Sequence, residues 1–191
     1  MFGLRKPKPV LNMVVAQLNM RLQPMDRGTF EDPLHDDLEK AGLGRVTGGG
    51  TQMAEEPAGI EYCDIEFELT DASDKTLAWL IGELEKIGAP KGSKLHVNGT
   101  TIPFGKHEGM GVFLDANNLP DEVYQTYDVD HVIDEGNRLM AGTGGYRSHW
   151  QSSRETALYF YGPSFAQMKA AVDPLLASYP LCQGARVEQI A

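Results

Sequence analysis

The sequence predicts an α+β fold made of two tandem ferredoxin-like βαββαβ repeats with antiparallel sheets, and three observations lead there. Period-two segments and amphipathic helical stripes follow one another as strand, helix, strand, strand, helix, strand, and that order occurs twice. Corresponding elements recur at a spacing of roughly ninety-odd residues, the mark of an internal duplication. Each first helix also ends in a glycine-rich link to its next strand, Val46-Thr47-Gly48-Gly49-Gly50 in one half and Gly142-Thr143-Gly144-Gly145 in the other.

Residues 1–9, basic and proline-bearing, read as a mobile tail. Half one spans 10–98. Leu18, Met20 and Leu22 alternate with Gln17, Asn19 and Arg21, which predicts a strand. Asp32-Pro33 reads as an N-cap with proline at the first helical position, followed by Leu34, Leu38 and Ala41 on one face and Gly42 as the stop. The triple glycine falls in an edge strand over Arg45 to Met53 that bends or bulges there. Gly59 to Leu69 is a strand with Cys63, Ile65, Phe67 and Leu69 on one face and Tyr62, Asp64, Glu66 and Glu68 on the other. Ser73 or Asp74 caps a helix with the stripe Leu77, Leu80, Ile81, Leu84 and Ile87, stopped by Gly88 and Pro90. Leu95 to Val97 closes the half as a strand.

Residues 99–109, polar and glycine-rich, are expected to link the halves, and half two spans 110–191. Its strands are expected at Gly111–Asp115, Tyr146–Gln151, Thr156–Tyr161 and Arg186–Ile190, with a loop over Asn117–Asp121. Its helices are capped by Asp128 and Ser164, and Pro174 should kink or shorten the second. The other face of each sheet is either solvated or covered, and two such units in one chain can cover each other's open faces, enclosing a cavity between them.

Composition narrows the function classes. In 191 residues, hydrophobic side chains make up 41%, enough for an ordinary core, and the formal net charge is −10. Such a charge repels phosphate backbones and anionic bilayers, so neither nucleic acid nor membrane is expected as a partner. It suits solubility and a basic protein partner. Cys63 and Cys182 belong to no metal or redox motif and read as free, mostly buried thiols of a reducing compartment. Val10 to Leu22 is too interrupted by polar residues for a signal-peptide core, so a cytoplasmic, bacterial-style protein is expected.

No motif specifies chemistry. The triple glycine follows a helix and precedes a strand, the reverse of a phosphate loop, and no Lys-Ser or Lys-Thr follows. His35, His96, His107 and His131 lack metal spacing, and no serine or cysteine sits in a nucleophile setting. No cofactor, metal or catalytic residue is expected. Two side-chain sets remain. Asp64, Glu66 and Glu68 place three carboxylates on one strand face, either a solvated surface or a grip for a basic partner. Arg147 and His149 with Gln151 are expected on one face of a strand in half two, with Tyr159 and Tyr161 on the next. If the two sheets pack face to face, Arg147, His149 and Tyr159 would oppose Asp64 and Glu66 and line a small-molecule pocket, with an imidazole–carboxylate base pair in it.

The elements Gly48-Gly49-Gly50, Tyr62-Cys63-Asp64-Ile65-Glu66 and Gly88-Ala89-Pro90-Lys91-Gly92-Ser93 together resemble a set of uncharacterised bacterial proteins, over roughly residues 30 to 97. That resemblance implies no activity. The expected function is a soluble acidic binding protein with a basic protein partner, of the kind immunity proteins exemplify. The alternative is a small-molecule sensor or enzyme with its pocket between the halves, and a homodimer through open sheet edges is compatible with either.

Overall fold

The computed structural model describes residues 11–55 and 59–191. The expected mobile tail 1–9 lies outside them. The described chain is a mixed α+β structure with two antiparallel sheets. In chain order the first part runs β1 (Asn12–Leu18), α1 (Gly28–Ala41), β2 (Gly44–Ala54), β3 (Gly59–Leu69), α2 (Asp74–Lys86), β4 (Ser93–Val97) and β5 (Thr100–Phe104), and its five strands are ordered β2-β3-β1-β4-β5. The second part runs β6 (Glu108–Asp115), α3 (Asp121–Thr126), α4 (Val129–Leu139), β7 (Gly145–Gln151), β8 (Glu155–Gly162), α5 (Phe165–Ser178), a short 3₁₀ turn (Pro180–Cys182) and β9 (Arg186–Gln189), ordered β7-β8-β6-β9.

In the first sheet the alternation of β3 decides the layering. Cys63, Ile65, Phe67 and Leu69 are fully buried, together with Val14, Ala16 and Leu18 of β1 and Leu95 of β4. Phe30, Leu34 and Leu38 of α1 and Leu77, Leu80 and Leu84 of α2 cover that face. Helix α2 starts where expected: the Ser73 hydroxyl accepts from Thr76 N–H, and the Asp71 carboxylate takes the Ser73 hydroxyl at 2.5 Å and the Thr76 hydroxyl at 2.8 Å.

The central strands of the second sheet, β6 and β8, are buried on both sides. Met110, Val112 and Leu114 of β6 and Leu158 and Phe160 of β8 face α4 and α5, meeting Val132, Met140, Met168 and Val172. The intervening residues Phe113, Ala157, Tyr159 and Tyr161 belong to the core of the first part instead. They meet the chain just past β1, where Met20 and Leu22 are fully buried, and the start of β3 at Ile60. Buried polar groups fasten the seam. Arg21 N–H donates to the Tyr161 hydroxyl at 2.9 Å and Gln23 N–H to the Ser148 hydroxyl at 3.0 Å, while that hydroxyl donates to Asp26 at 2.6 Å.

Of the two arrangements left open, the one in which the two bare sheet faces cover each other is not adopted. The second sheet's bare face is covered by the strand ends and connections of the first part, not by its sheet. The other corrections are local. Residues 99–109, expected as a link, contribute β5, which pairs with β4 from Ser93↔Phe104 to Val97↔Thr100. β1 stops at Leu18, paired with Cys63, because Met20 and Leu22 keep the alternation but leave the ladder to enter the seam. α1 begins at Gly28, so Pro33 lies inside the helix rather than at its first position. α5 continues through Pro174 to Ser178; the loop expected at Asn117–Asp121 is present up to Pro120, and the unexpected helix α3 follows it from Asp121. Both cysteines are free and buried; burial pushes the Cys63 thiol up to about 12. Among the described residues no helix is long and apolar enough to cross a membrane.

Candidate functional site: the open face of the first sheet

The face of the first sheet turned away from α1 and α2 has no covering layer among the described residues. Its composition follows from the strand registers. Gln17 of β1 pairs with Asp64 of β3 on one side and Lys94 of β4 on the other, and Val15 pairs with Glu66 and with His96. Met13 pairs with Glu68. The face therefore carries an apolar ridge along β1, of which Met13 is 53% exposed, with carboxylates along one flank and Lys94 and His96 along the other.

The triple glycine shapes this face. Gly48 pairs with Glu66 and Gly50 with Asp64, so β2 puts no side chain beside those carboxylates. Gly49 points to the helix side, where an added Cβ would sit 2.3 Å from the Asp64 carbonyl oxygen and 3.0 Å from the Glu31 carboxylate. Arg27, at the N-cap of α1, and Glu31 of its first turn, ion-paired at 2.8 Å, lie directly over the strand there. β2 is an edge strand with a register shift between Val46 and Gly48, as the bulged-edge reading requires.

The three carboxylates are not equivalent. Glu68 is held by Arg45 at 2.6 Å. Glu66 is exposed and has no ion pair among the described residues. Asp64 is half-buried; its Oδ1 is out of contact with water and has no hydrogen-bond partner. Burial raises its pKa and Glu66 adds to the rise, while His96 opposes both. His96 Nδ1 lies 3.0 Å from the Thr101 hydroxyl, and Lys94 is exposed with no ion pair among the described residues. No group of three or more His, Cys, Asp or Glu side chains among the described residues could hold a metal ion.

The other expected site residues lie elsewhere, and not together. A register shift between Tyr146 and Ser148 changes the parity of β7, so Arg147 and His149 leave opposite faces. His149 sits on the α4 side with Nδ1 2.7 Å from the Tyr146 hydroxyl, in a pocket of about 430 Å³ bounded by Val129, Asp130 and Gln151. Arg147 lies in the seam, near Gly88 and the buried, unpartnered Nδ1 of His107. Tyr159 is buried on the seam face, with the Arg21 guanidinium 5.5 Å from its ring centre. None of the three opposes Asp64 or Glu66, so the imagined imidazole–carboxylate pair is not formed. No local pattern singles out Arg21, Lys94 and His96; the last two share the rows of Asp64 and Glu66 and become candidates only through the pairing of β4 with β1.

The seam does hold a cavity, between Arg21, Ile60, Phe113, Trp150 and Tyr159, with the Trp150 indole N–H unpartnered. Its volume is about 130 Å³. That is room for roughly four waters at about 30 Å³ each and is below the 300 Å³ or so at which small-molecule sites begin.

No family model matches the chain, and no curated protein does. Among solved structures it is similar to an unknown protein from Galdieria sulphuraria, at 9% identity over 94% of this chain and 96% of that one, with a TM-score of 0.31. It is also similar to the ligand-free regulatory subunit of aspartate kinase from Thermus thermophilus, at 10% identity over 88% and 93% with a TM-score of 0.26. A third likeness is to the first two RRM domains of the yeast poly(U)-binding protein Pub1, at 12% identity over 93% and 99% with a TM-score of 0.23. Likenesses this distant assign neither a family nor a function.

Proposed function

We propose that this chain is a duplicated βαββαβ protein that works as a protein-interaction module, with the open face of the first sheet as its contact surface. The duplication is supported by the two strand orders: β2-β3-β1-β4 and β7-β8-β6-β9 are the same order once β5 is set aside as an edge addition. The interaction reading rests on one observation. The same kind of sheet face that the second part buries against the first is, in the first part, left to solvent with an apolar ridge between charged flanks. A partner would cover Met13 and Val15 and supply cations to Asp64 and Glu66, the two carboxylates that Arg45 does not hold. A basic protein meets the carboxylate flank; Lys94 and His96 on the other flank call for acidic groups on the partner as well. The small-molecule alternative has the seam cavity as its place, and 130 Å³ is small for it.

The test is a photo-reactive side chain placed at Met13 in intact cells, with the same group at Asp37 on the exposed side of α1 as control. A discrete protein adduct from position 13 and none from position 37 is the expected result. Absence of any adduct at position 13, or equal adducts at both, would remove this surface as the site of function.

A further inference from the structure

The geometry points to a second copy of this chain as the occupant of the open face; this rests on the interaction reading and names its partner. The argument is one of register. Lys94, Gln17 and Asp64 lie in one row across the sheet, and His96, Val15 and Glu66 in the next, with β1 at the centre of each row. Consider two copies face to face about a twofold axis that runs along β1. The rotation keeps each residue's position along the strand and exchanges the two flanks. Lys94 of one copy then stands over Asp64 of the other, His96 over Glu66, and Val15 over its own counterpart. Each charge contact occurs twice, as an isologous interface requires. An axis across the strands would instead set carboxylates on carboxylates, so the face is complementary to itself in one orientation only.

The unpaired groups fit this arrangement. Lys94, Asp64 and Glu66 have no ion-pair partner within their own chain among the described residues, although the same sheet pairs Glu68 with Arg45. Gly48 and Gly50 leave open the space beside Glu66 and Asp64 that an incoming side chain would need. Face-to-face sheets pack about 10 Å apart with strands within about 30° of parallel, which keeps the central rows in register. Five strands at about 4.8 Å and seven residues at about 3.4 Å make a face roughly 24 Å on a side. That is at the small end of stable interfaces, so the dimer should dissociate on dilution.

The experiment is sedimentation of the wild-type protein and of two charge-reversed variants, Lys94→Glu and Asp64→Lys, alone and mixed. The wild type should form a concentration-dependent dimer. Each variant alone places like charges at both contacts and should dimerise at least about tenfold more weakly. Their equimolar mixture should dimerise as well as the wild type, because a mixed pair has opposite charges at both contacts, and that recovery also shows that both variants are folded. Glu66→Lys with His96→Glu is the same test on the exposed neighbouring row. A wild type that stays monomeric to millimolar concentration, or variants that dimerise as well as the wild type, would overturn the second copy. The wider reading fails separately, on the absence of an adduct at position 13.

Discussion

β3 and β8 occupy the same place in their two sheets, second from the glycine-linked edge, and meet different fates. Along β3, Cys63, Ile65, Phe67 and Leu69 are fully buried while Glu66 is exposed. Along β8, Ala157 to Tyr161 are buried without interruption. Residue chemistry follows: carboxylates alternate with apolar groups in β3, and aromatic and aliphatic groups succeed one another in β8. Alternation marks a strand with one wet face and a continuous apolar run marks one covered on both. The second sheet thus spends its bare face on internal cohesion, and the first keeps its bare face available.

The difference can be challenged by substitution. Tyr161→Ala on the seam face of β8 should cost about 3–5 kcal/mol in urea unfolding, as for other buried aromatics, whereas Met13→Ala on the open face should change stability by no more than about 0.5 kcal/mol. Equal effects would mean that the second face of β8 is not a core. Gly49→Ala should cost about 1–3 kcal/mol, because its Cβ would meet the Asp64 carbonyl oxygen, while Gly50→Ala, with nothing within 4 Å of its Cβ, should be close to neutral. A neutral Gly49→Ala would show that the Asp64 carbonyl oxygen of β3 can move aside there at little cost. Tyr161→Phe strips the partner from the half-buried Arg21 N–H and should cost about 1–3 kcal/mol, with the melting temperature as the measure.

The smallest effect concerns pH. Burial raises the Asp64 pKa in the folded protein, so the ionised form at neutral pH is the unfavourable one. Stability from this group is therefore present at acid pH and lost as pH rises through the raised value. Asp64→Asn should stabilise the monomer at pH 7, by up to about 1 kcal/mol, and the gain should vanish below about pH 4. A gain that grows on acidification would reverse the assignment.

Much of the framework was readable in the residues. β3 has the expected bounds, the Ser73, Asp128 and Ser164 caps are in place, and the triple glycine sits in a bulged edge strand. Where local pattern and pairing part company, the reading failed. Met20 and Leu22 extend the alternation of β1, but they are buried by the other half rather than by a ladder, and sequence cannot distinguish those burials. Asp32-Pro33 has the chemistry of a helix start, yet α1 begins earlier, at Gly28, with Thr29 bonding back to Asp26. The bulge that separates Arg147 from His149 has no glycine to announce it. At the candidate site the carboxylates of β3 were visible from their spacing; Lys94 and His96 were not, since what makes them part of the face is the pairing of β4 with β1 across a long stretch of chain.

The most direct test uses methionines the protein already has. Met13 lies on the open face at 53% exposure, Met25 is 80% exposed in the connection after β1, and Met20, Met110, Met140 and Met168 are fully buried. Peroxide oxidation mapped by mass spectrometry at high dilution should mark Met13 and Met25 and spare the four buried residues. At high protein concentration Met25 should still oxidise while Met13 becomes protected. A Met13 that oxidises in step with Met25 at every concentration would contradict the account, because the open face would then be bare when copies of the chain are abundant.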